Sequence, residues 1–354
     1  MKRVLLAGGT GFVGLNAARA FSERGVSVVL TSRKRFDQAG EALASDNELI
    51  GIEYVNLQDS AEVFDLYCRH QFDGLVFLAH THQYARSRAA NNAIYPILLN
   101  CLEGARSTGV RRLVLASSKA IYGGLNPPFD ERATFPAKVS YKGTMVDKLK
   151  LPRFPEFETT VKRTVEMIAF DYSIPLPAST SGLAGASEKI AMDVVSLRFP
   201  LQWGPGYTAM GNQFSLVAHT AAGRIDSLKG RTGYLGLPIT EFWNLLSGSP
   251  TSNVKDSASA IVTTMLADTL PNSIYNVCSG FSHIAREQLE AVYKIAPYAR
   301  DAIGIDPGEL DADGIPDNGF NSNLLCSDFG WQPAHESFDE AFSEYLAWLK
   351  VNAY

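Results

Sequence analysis

Apolar residues come in short runs through the first half of the chain, separated by segments of helical period. Val4–Ala7 is the first run, Val26–Thr31 the second, Ile52–Val55 the third, Leu75–Ala79 the fourth and Arg112–Ala116 the fifth. Asn16–Phe21 reads as a helix that ends at Gly25, and further helices are expected around Ala61–Arg69, Asn92–Thr108, Phe157–Tyr172 and Ser337–Leu349. Val194–Phe199 reads as a sixth strand. Short apolar strands alternating with helices predict an α/β fold with a parallel sheet covered on both faces. Beyond residue 200 the pattern loosens, with Gly204-Pro205-Gly206, Leu237-Pro238 and Pro307-Gly308 as punctuation. That fits a smaller lobe over the strand ends, where open α/β sheets bind ligands. Residues 126–156, with five prolines, and 301–323, rich in Asp, Gly and Asn, read as irregular. Long loops in a compact chain usually carry function or move.

The first strand runs straight into Gly8-Gly9-Thr10-Gly11-Phe12-Val13-Gly14. Each glycine has a separate task in a phosphate-binding turn. Gly8 turns at positive φ, Gly11 lets backbone N–H groups approach a pyrophosphate, and Gly14 lets helix pack on strand. The anion then sits at the positive end of the helix dipole. Strand before and helix after are the context this motif requires.

Composition narrows the class. The chain has 354 residues, of which 46% are hydrophobic and 19% charged, with a formal net charge of −5. Nothing in that balance points to nucleic acid, and no apolar run is long enough to span a membrane. The chain enters its first strand at once, so no signal peptide is expected, and a cytoplasmic location follows. Cys68, Cys101, Cys278 and Cys326 are widely spaced and form no metal-ligand pattern, so free thiols and no metal are expected.

GGTGFVG is followed by FLAH (Phe77–His80), GVRRLVLASSKAIYG (Gly109–Gly123), LRFPLQWGPG (Leu197–Gly206), NVKDSASA (Asn253–Ala260), IYNVCSG and FGWQP. Together these segments resemble the extended short-chain dehydrogenase/reductase superfamily, its nucleotide-sugar epimerases and dehydratases. The resemblance covers nearly the whole chain. It implies a Rossmann-type doubly wound parallel sheet over residues 1–195, interrupted by the irregular stretch at 126–156. Residues 196–354 would form mainly a substrate-binding lobe, interleaved with the first domain. It also implies a homodimer paired through the helices around Asn92–Thr108 and Phe157–Tyr172, and a small-molecule substrate.

The resemblance implies Gly8, Thr10, Gly11, Phe12, Val13, Gly14, Thr31, Ser32, Arg33, Asn56, Leu57, Leu78, Ala79, His80, Lys162 and Pro200 as cofactor-binding residues. Ser118 matches the catalytic serine, and Lys162-x-x-x-Glu166 matches the helix that carries the catalytic lysine. In that family a tyrosine stands four residues before the lysine; here the position is Glu158. Three readings stay open. Glu158 takes over acid/base work, a tyrosine such as Tyr122 or Tyr141 enters from elsewhere, or the site keeps cofactor binding without redox chemistry. A first-turn glutamate favoured by the helix dipole is the bland alternative.

Lys119-Ala120 replaces the Asp-Glu pair that 4,6-dehydratases carry after the serine, which argues against that chemistry. Leu201 replaces an asparagine that helps hold a nucleotide diphosphate. Lys119, Tyr122 and Leu201 are the substrate-side candidates, with Arg224, Arg231 and Arg286 as further anion partners. The second strand ends Thr31-Ser32-Arg33-Lys34-Arg35 with no carboxylate before Asp37. Hydroxyls and cations suit a 2′-phosphate, so NADP is the expected cofactor, with NAD the other option. The sequence therefore reads as an NADP(H)-dependent oxidoreductase or epimerase, or as a noncatalytic NADP(H) sensor on the same fold.

Overall fold

The computed structural model describes residues 1–33, 37–80, 89, 92–144, 147, 156–175, 191–207, 212–232, 237–281, 284–312 and 319–352. Its centre is a seven-stranded sheet in the order β3-β2-β1-β4-β5-β6-β9, parallel throughout. The strands are β1 (Arg3–Ala7), β2 (Ser27–Ser32), β3 (Ile50–Tyr54), β4 (Gly74–Phe77), β5 (Arg112–Ser118), β6 (Asp193–Phe199) and β9 (Ile274–Asn276). β4 stops at Phe77, two residues short of the apolar run, and β5 extends two residues past it to end on Ser118.

One sheet face packs α3 (Ser60–His70), α4 (Ile94–Thr108) and α5 (Glu156–Asp171); Leu98, Cys101, Leu102, Val161, Val165 and Ala169 join its core. The opposite face packs α1 (Phe12–Ser22) and α8 (Val254–Leu266), with Ala17, Phe21 and Ile261 fully buried. The strands read as continuous apolar runs because both faces are covered.

β6 crosses residue 195, and the chain returns to the sheet at β9, so residues after 195 belong to both layers. The second core gathers on Trp203 and Phe214. It takes in α6 (Gln213–Ala221), α7 (Ile239–Leu246), α9 (Ala285–Ile295), the short α10 (Arg300–Ile303) and α12 (Phe338–Val351), while Leu325 of α11 (Asn323–Phe329) joins the core of α1 and α8. A two-stranded sheet of β7 (Leu201–Trp203) and β8 (Thr251–Asn253) joins it to the carboxyl end of β6.

Candidate active site

The turn after β1 has the geometry its glycines predict. Gly8 stands at φ +79°, and a Cβ there would lie 2.7 Å from Ala79 Cα. Its N–H donates to Thr31 Oγ1 at 2.9 Å, which locks the turn to β2. A Cβ on Gly14 would lie 2.3 Å from the Gly9 carbonyl oxygen, so only glycine lets α1 start this close to the turn. Gly11 differs. It is exposed, its φ of −75° is ordinary, and its nearest neighbour to a Cβ is Gly8 O at 3.3 Å. The protein itself puts little demand on that position. An anion approaching the uncapped start of α1, at Phe12 and Val13, would.

Neighbouring strand ends complete a cradle. Thr10 is half-buried, with its methyl 3.0 Å from where a Gly40 Cβ would stand. Leu78, whose N–H donates to Ala7 O, Ala79 and the exposed His80 follow β4 beside Gly8. Asn56 is exposed after β3, and the buried Leu57 offers its carbonyl to Asn100. Pro205 O accepts from Asn16 Nδ2, and the Tyr207 ring lies tilted against Phe12 with centroids 4.6 Å apart, so the segment after β7 covers the start of α1. These features fit a dinucleotide, with its pyrophosphate at Gly11.

The second strand holds a surprise. Ser32 Oγ donates to Asp37 Oδ2 at 3.3 Å, while Asp37 Oδ1 caps α2 (Gln38–Ser45) through the Gly40 N–H. A carboxylate five residues downstream thus returns to the end of β2, beside the exposed Arg33. Lys34 and Arg35 lie outside the described residues.

Ser118 ends β5 and accepts the Ala120 N–H at 3.1 Å, starting a 3-10 turn over Lys119–Tyr122. In the β5·β6 register Ser118 stands opposite Phe199, which puts the buried Pro200 and half-buried Leu201 at the same sheet end. α5 is pinned against this turn by Arg163, whose Nε and Nη2 donate to Ile121 O at 2.9 Å and Gly123 O at 2.8 Å. Glu158 and Lys162, one turn apart, lie between the apolar stripe Val161-Val165-Ala169 and the polar stripe Thr159-Arg163-Glu166. Both are half-buried. Burial pushes the Glu158 carboxyl above the ordinary carboxylate value, against a smaller opposing pull from Lys162. Burial likewise pushes the Lys162 ammonium down, opposed by Glu158 and Glu166. Glu158 is therefore not a solvated first-turn glutamate.

The nearby tyrosines are committed elsewhere. Tyr122 is 3% exposed; its hydroxyl accepts from Arg198 Nη1 at 2.8 Å and faces Asn276 Oδ1 at 2.8 Å and Asp130 O at 3.0 Å. Burial pushes its pKa up to about 12. Tyr141 is equally buried, with its hydroxyl 3.4 Å from Thr159 Oγ1 and packed on Gly123. Glu166 forms a buried bidentate pair with Arg198, 2.8 and 3.1 Å, and accepts from Ser196. The arginines named as anion partners serve the fold instead. Arg224 donates to the Leu349 and Asn352 carbonyls at the end of α12, Arg231 to Ser227 O, and Arg286 to Leu310 O and Gly308 O.

Sequence reasoning missed Asp37, Arg198, Asn276 and Tyr207. The Asp37–Ser32 contact spans five residues and goes with the cap that Asp37 gives α2, while the partners of Arg198, Asn276 and Tyr207 come from segments far apart in the chain.

Residues 4–144 match the NAD dependent epimerase/dehydratase family. A mouse UDP-glucose 4-epimerase is 29% identical over 147 residues, 37% of this chain and 42% of that protein, so the match spans less than half of the relative. The crystal structure of a Thermus thermophilus UDP-glucose 4-epimerase in complex with NAD superposes with a TM-score of 0.65 at 22% identity, covering 99% of this chain and all of that one. A Bacillus cereus UDP-N-acetylglucosamine 4-epimerase gives 0.66 at 14% identity, again over 99% of this chain and all of that one. At these identities the two structures speak to the fold. Among the described residues no helix is long and apolar enough to cross a membrane. In motif order, sheet topology and the family match over residues 4–144, the chain resembles the NAD dependent epimerase/dehydratase family of extended short-chain dehydrogenase/reductases.

Proposed function

We propose that this protein binds NADP(H), or NAD(H), across the carboxyl ends of its parallel strands. It transfers hydride at a hydroxyl or carbonyl of a small polar or sugar-like substrate. The carrying observation is the placement of Glu158 and Lys162 on the half-buried face of α5, held by Arg163 against the turn that follows Ser118. A bound nicotinamide supplies the hydride chemistry. Lys162 donates to its ribose, and Ser118 donates to the substrate oxygen. Glu158 exchanges the proton on that oxygen, its carboxyl held above the ordinary carboxylate value by burial. The net outcome is a reduction, an oxidation or a redox-neutral epimerisation.

The commitment of Tyr122 and Tyr141 to structural contacts favours a second reading, a noncatalytic NADP(H)-binding sensor or scaffold. The experiment is NADPH binding by fluorescence, followed by turnover on a panel of carbonyl compounds and sugars. Binding with turnover that Glu158→Gln lowers supports the enzyme; stoichiometric binding without turnover supports the sensor.

We also propose a homodimer through α4 and α5, whose outer faces present Leu99 and Met167, 40% and 73% exposed. A monomer mass by light scattering at micromolar concentration would refute it.

A further inference from the structure

Lys119 follows Ser118 directly, yet its side chain leaves the sheet. It crosses to the segment before β8, where Nζ donates to Ser249 Oγ. Cys278, just past β9, is the titratable group whose charge bears on it, and burial keeps that thiol in its neutral form. Among the described residues no carboxylate forms an ion pair with this ammonium, and Ser249 is its hydrogen-bond partner. An ammonium has three donors, so two are left for another acceptor. Desolvation pushes the Lys119 pKa down to about 8, against a smaller opposing pull from Cys278.

The other cations considered for this role are occupied. Arg198 is paired with Glu166, and Lys162 lies in the field of Glu158 and Glu166. Arg224, Arg231 and Arg286 donate to the backbone carbonyls of Leu349, Ser227 and Leu310. Lys119 is thus a half-buried cation one residue from Ser118, and among the described residues no carboxylate pairs with it.

We propose that Lys119 is a specificity-determining residue whose ammonium binds a carboxylate of the substrate, next to the oxygen held by Ser118. The site then selects a hydroxy acid, keto acid or sugar acid over its neutral counterpart. A carboxylate supplies the missing counter-charge and takes the two remaining donors. A phosphate dianion would leave one of its two charges unmatched by this single ammonium. The inference rests on the hydride-transfer reading of the same site.

The test uses the protein loaded with NADP⁺ and labelled at its lysines for NMR. Malate and glucuronate are the carboxylate probes; glycerol and glucose are the neutral matches. A carboxylate probe is expected to raise the Lys119 pKa, and the neutral probes to leave it in place. By calorimetry, carboxylate affinity should fall about tenfold per pH unit above that pKa, as the ammonium is lost. Lys119→Met should lose at least about tenfold in carboxylate affinity. Lys119→Arg should keep binding and flatten the pH dependence, because a guanidinium does not titrate there. An unmoved Lys119 pKa with both carboxylates overturns the proposal, as does undiminished carboxylate binding by Lys119→Met. The wild-type titration stands even if a variant fails to fold. Failure with NADP⁺ still bound refutes the carboxylate assignment alone. Failure of wild type to bind either NADP⁺ or NAD⁺ refutes the hydride-transfer reading beneath it.

Discussion

Arg198 Nη1 lies 2.8 Å from the Tyr122 hydroxyl, and its guanidinium carbon sits 5.0 Å from the centre of the Tyr122 ring. The arginine thus engages both the edge and the face of a tyrosine that the sequence offers as a substitute acid. With its proton directed to Asn276 or Asp130, that phenol ties β5, β6 and β9 together. Tyr122→Phe should destabilise the fold by about 1–3 kcal/mol, since it leaves a buried donor of Arg198 unpaired. Its turnover per folded molecule should stay close to wild type. Glu158→Gln should do the reverse, losing roughly 10²–10⁴-fold in turnover with NADPH binding kept. Urea unfolding and steady-state kinetics on both variants separate the two roles, and a dead Tyr122→Phe enzyme would move the proton transfer to that tyrosine.

The pH dependence has a fixed sign for each direction. The Glu158 carboxyl is raised by burial. Carbonyl reduction needs it protonated, so that rate should be full at low pH and fall as pH rises through the raised pKa. Alcohol oxidation needs the carboxylate, so its rate should fall as pH drops through the same value. Profiles of kcat/KM in the two directions should mirror each other, and Glu158→Gln should abolish this shared inflection.

Gly11 and Gly14 should fail in different ways. Gly14→Ala forces a methyl into the Gly9 carbonyl and should cost about 1–3 kcal/mol of stability or more. Gly11→Ala meets no atom closer than 3.3 Å and should melt near the wild-type temperature. It should nonetheless lose most cofactor affinity, because its methyl occupies the space an incoming pyrophosphate needs. Thermal melts beside NADPH titrations check both, and full NADPH affinity in Gly11→Ala would move the pyrophosphate elsewhere.

At the end of β2, Arg33 and Asp37 pull cofactor choice in opposite directions. Arg33→Ala should weaken NADPH by about 1–3 kcal/mol and spare NADH. Asp37→Asn removes a negative charge beside Ser32 and should tighten NADPH relative to NADH. Calorimetric titration of both cofactors with the three proteins reads this directly. Tighter NADH binding by wild type would show that Asp37 dominates.

Glu166→Ala should be among the most damaging single substitutions, at about 3–5 kcal/mol, because it strands the buried Arg198 charge. Denaturant titration gives the value. A loss under 1 kcal/mol would mean that water reaches Arg198.

Residues adjacent in sequence were enough to determine the glycine turn, the run of parallel strands and the strand end that carries Ser118. Backbone demands are local: Gly8 needs positive φ, Gly14 needs contact with Gly9, and strands covered on both faces must be apolar throughout. The pairing of Glu158 with Lys162 was legible for the same reason, since helical period places them together. What those side chains face was not legible. Asp37 reaches back to Ser32, Arg198 claims both Glu166 and Tyr122, and Arg224 caps a helix 125 residues away. A charged or phenolic group takes whichever partner the packed elements bring within about 3 Å. Only tertiary structure decides that distance, and with it which partner each group takes.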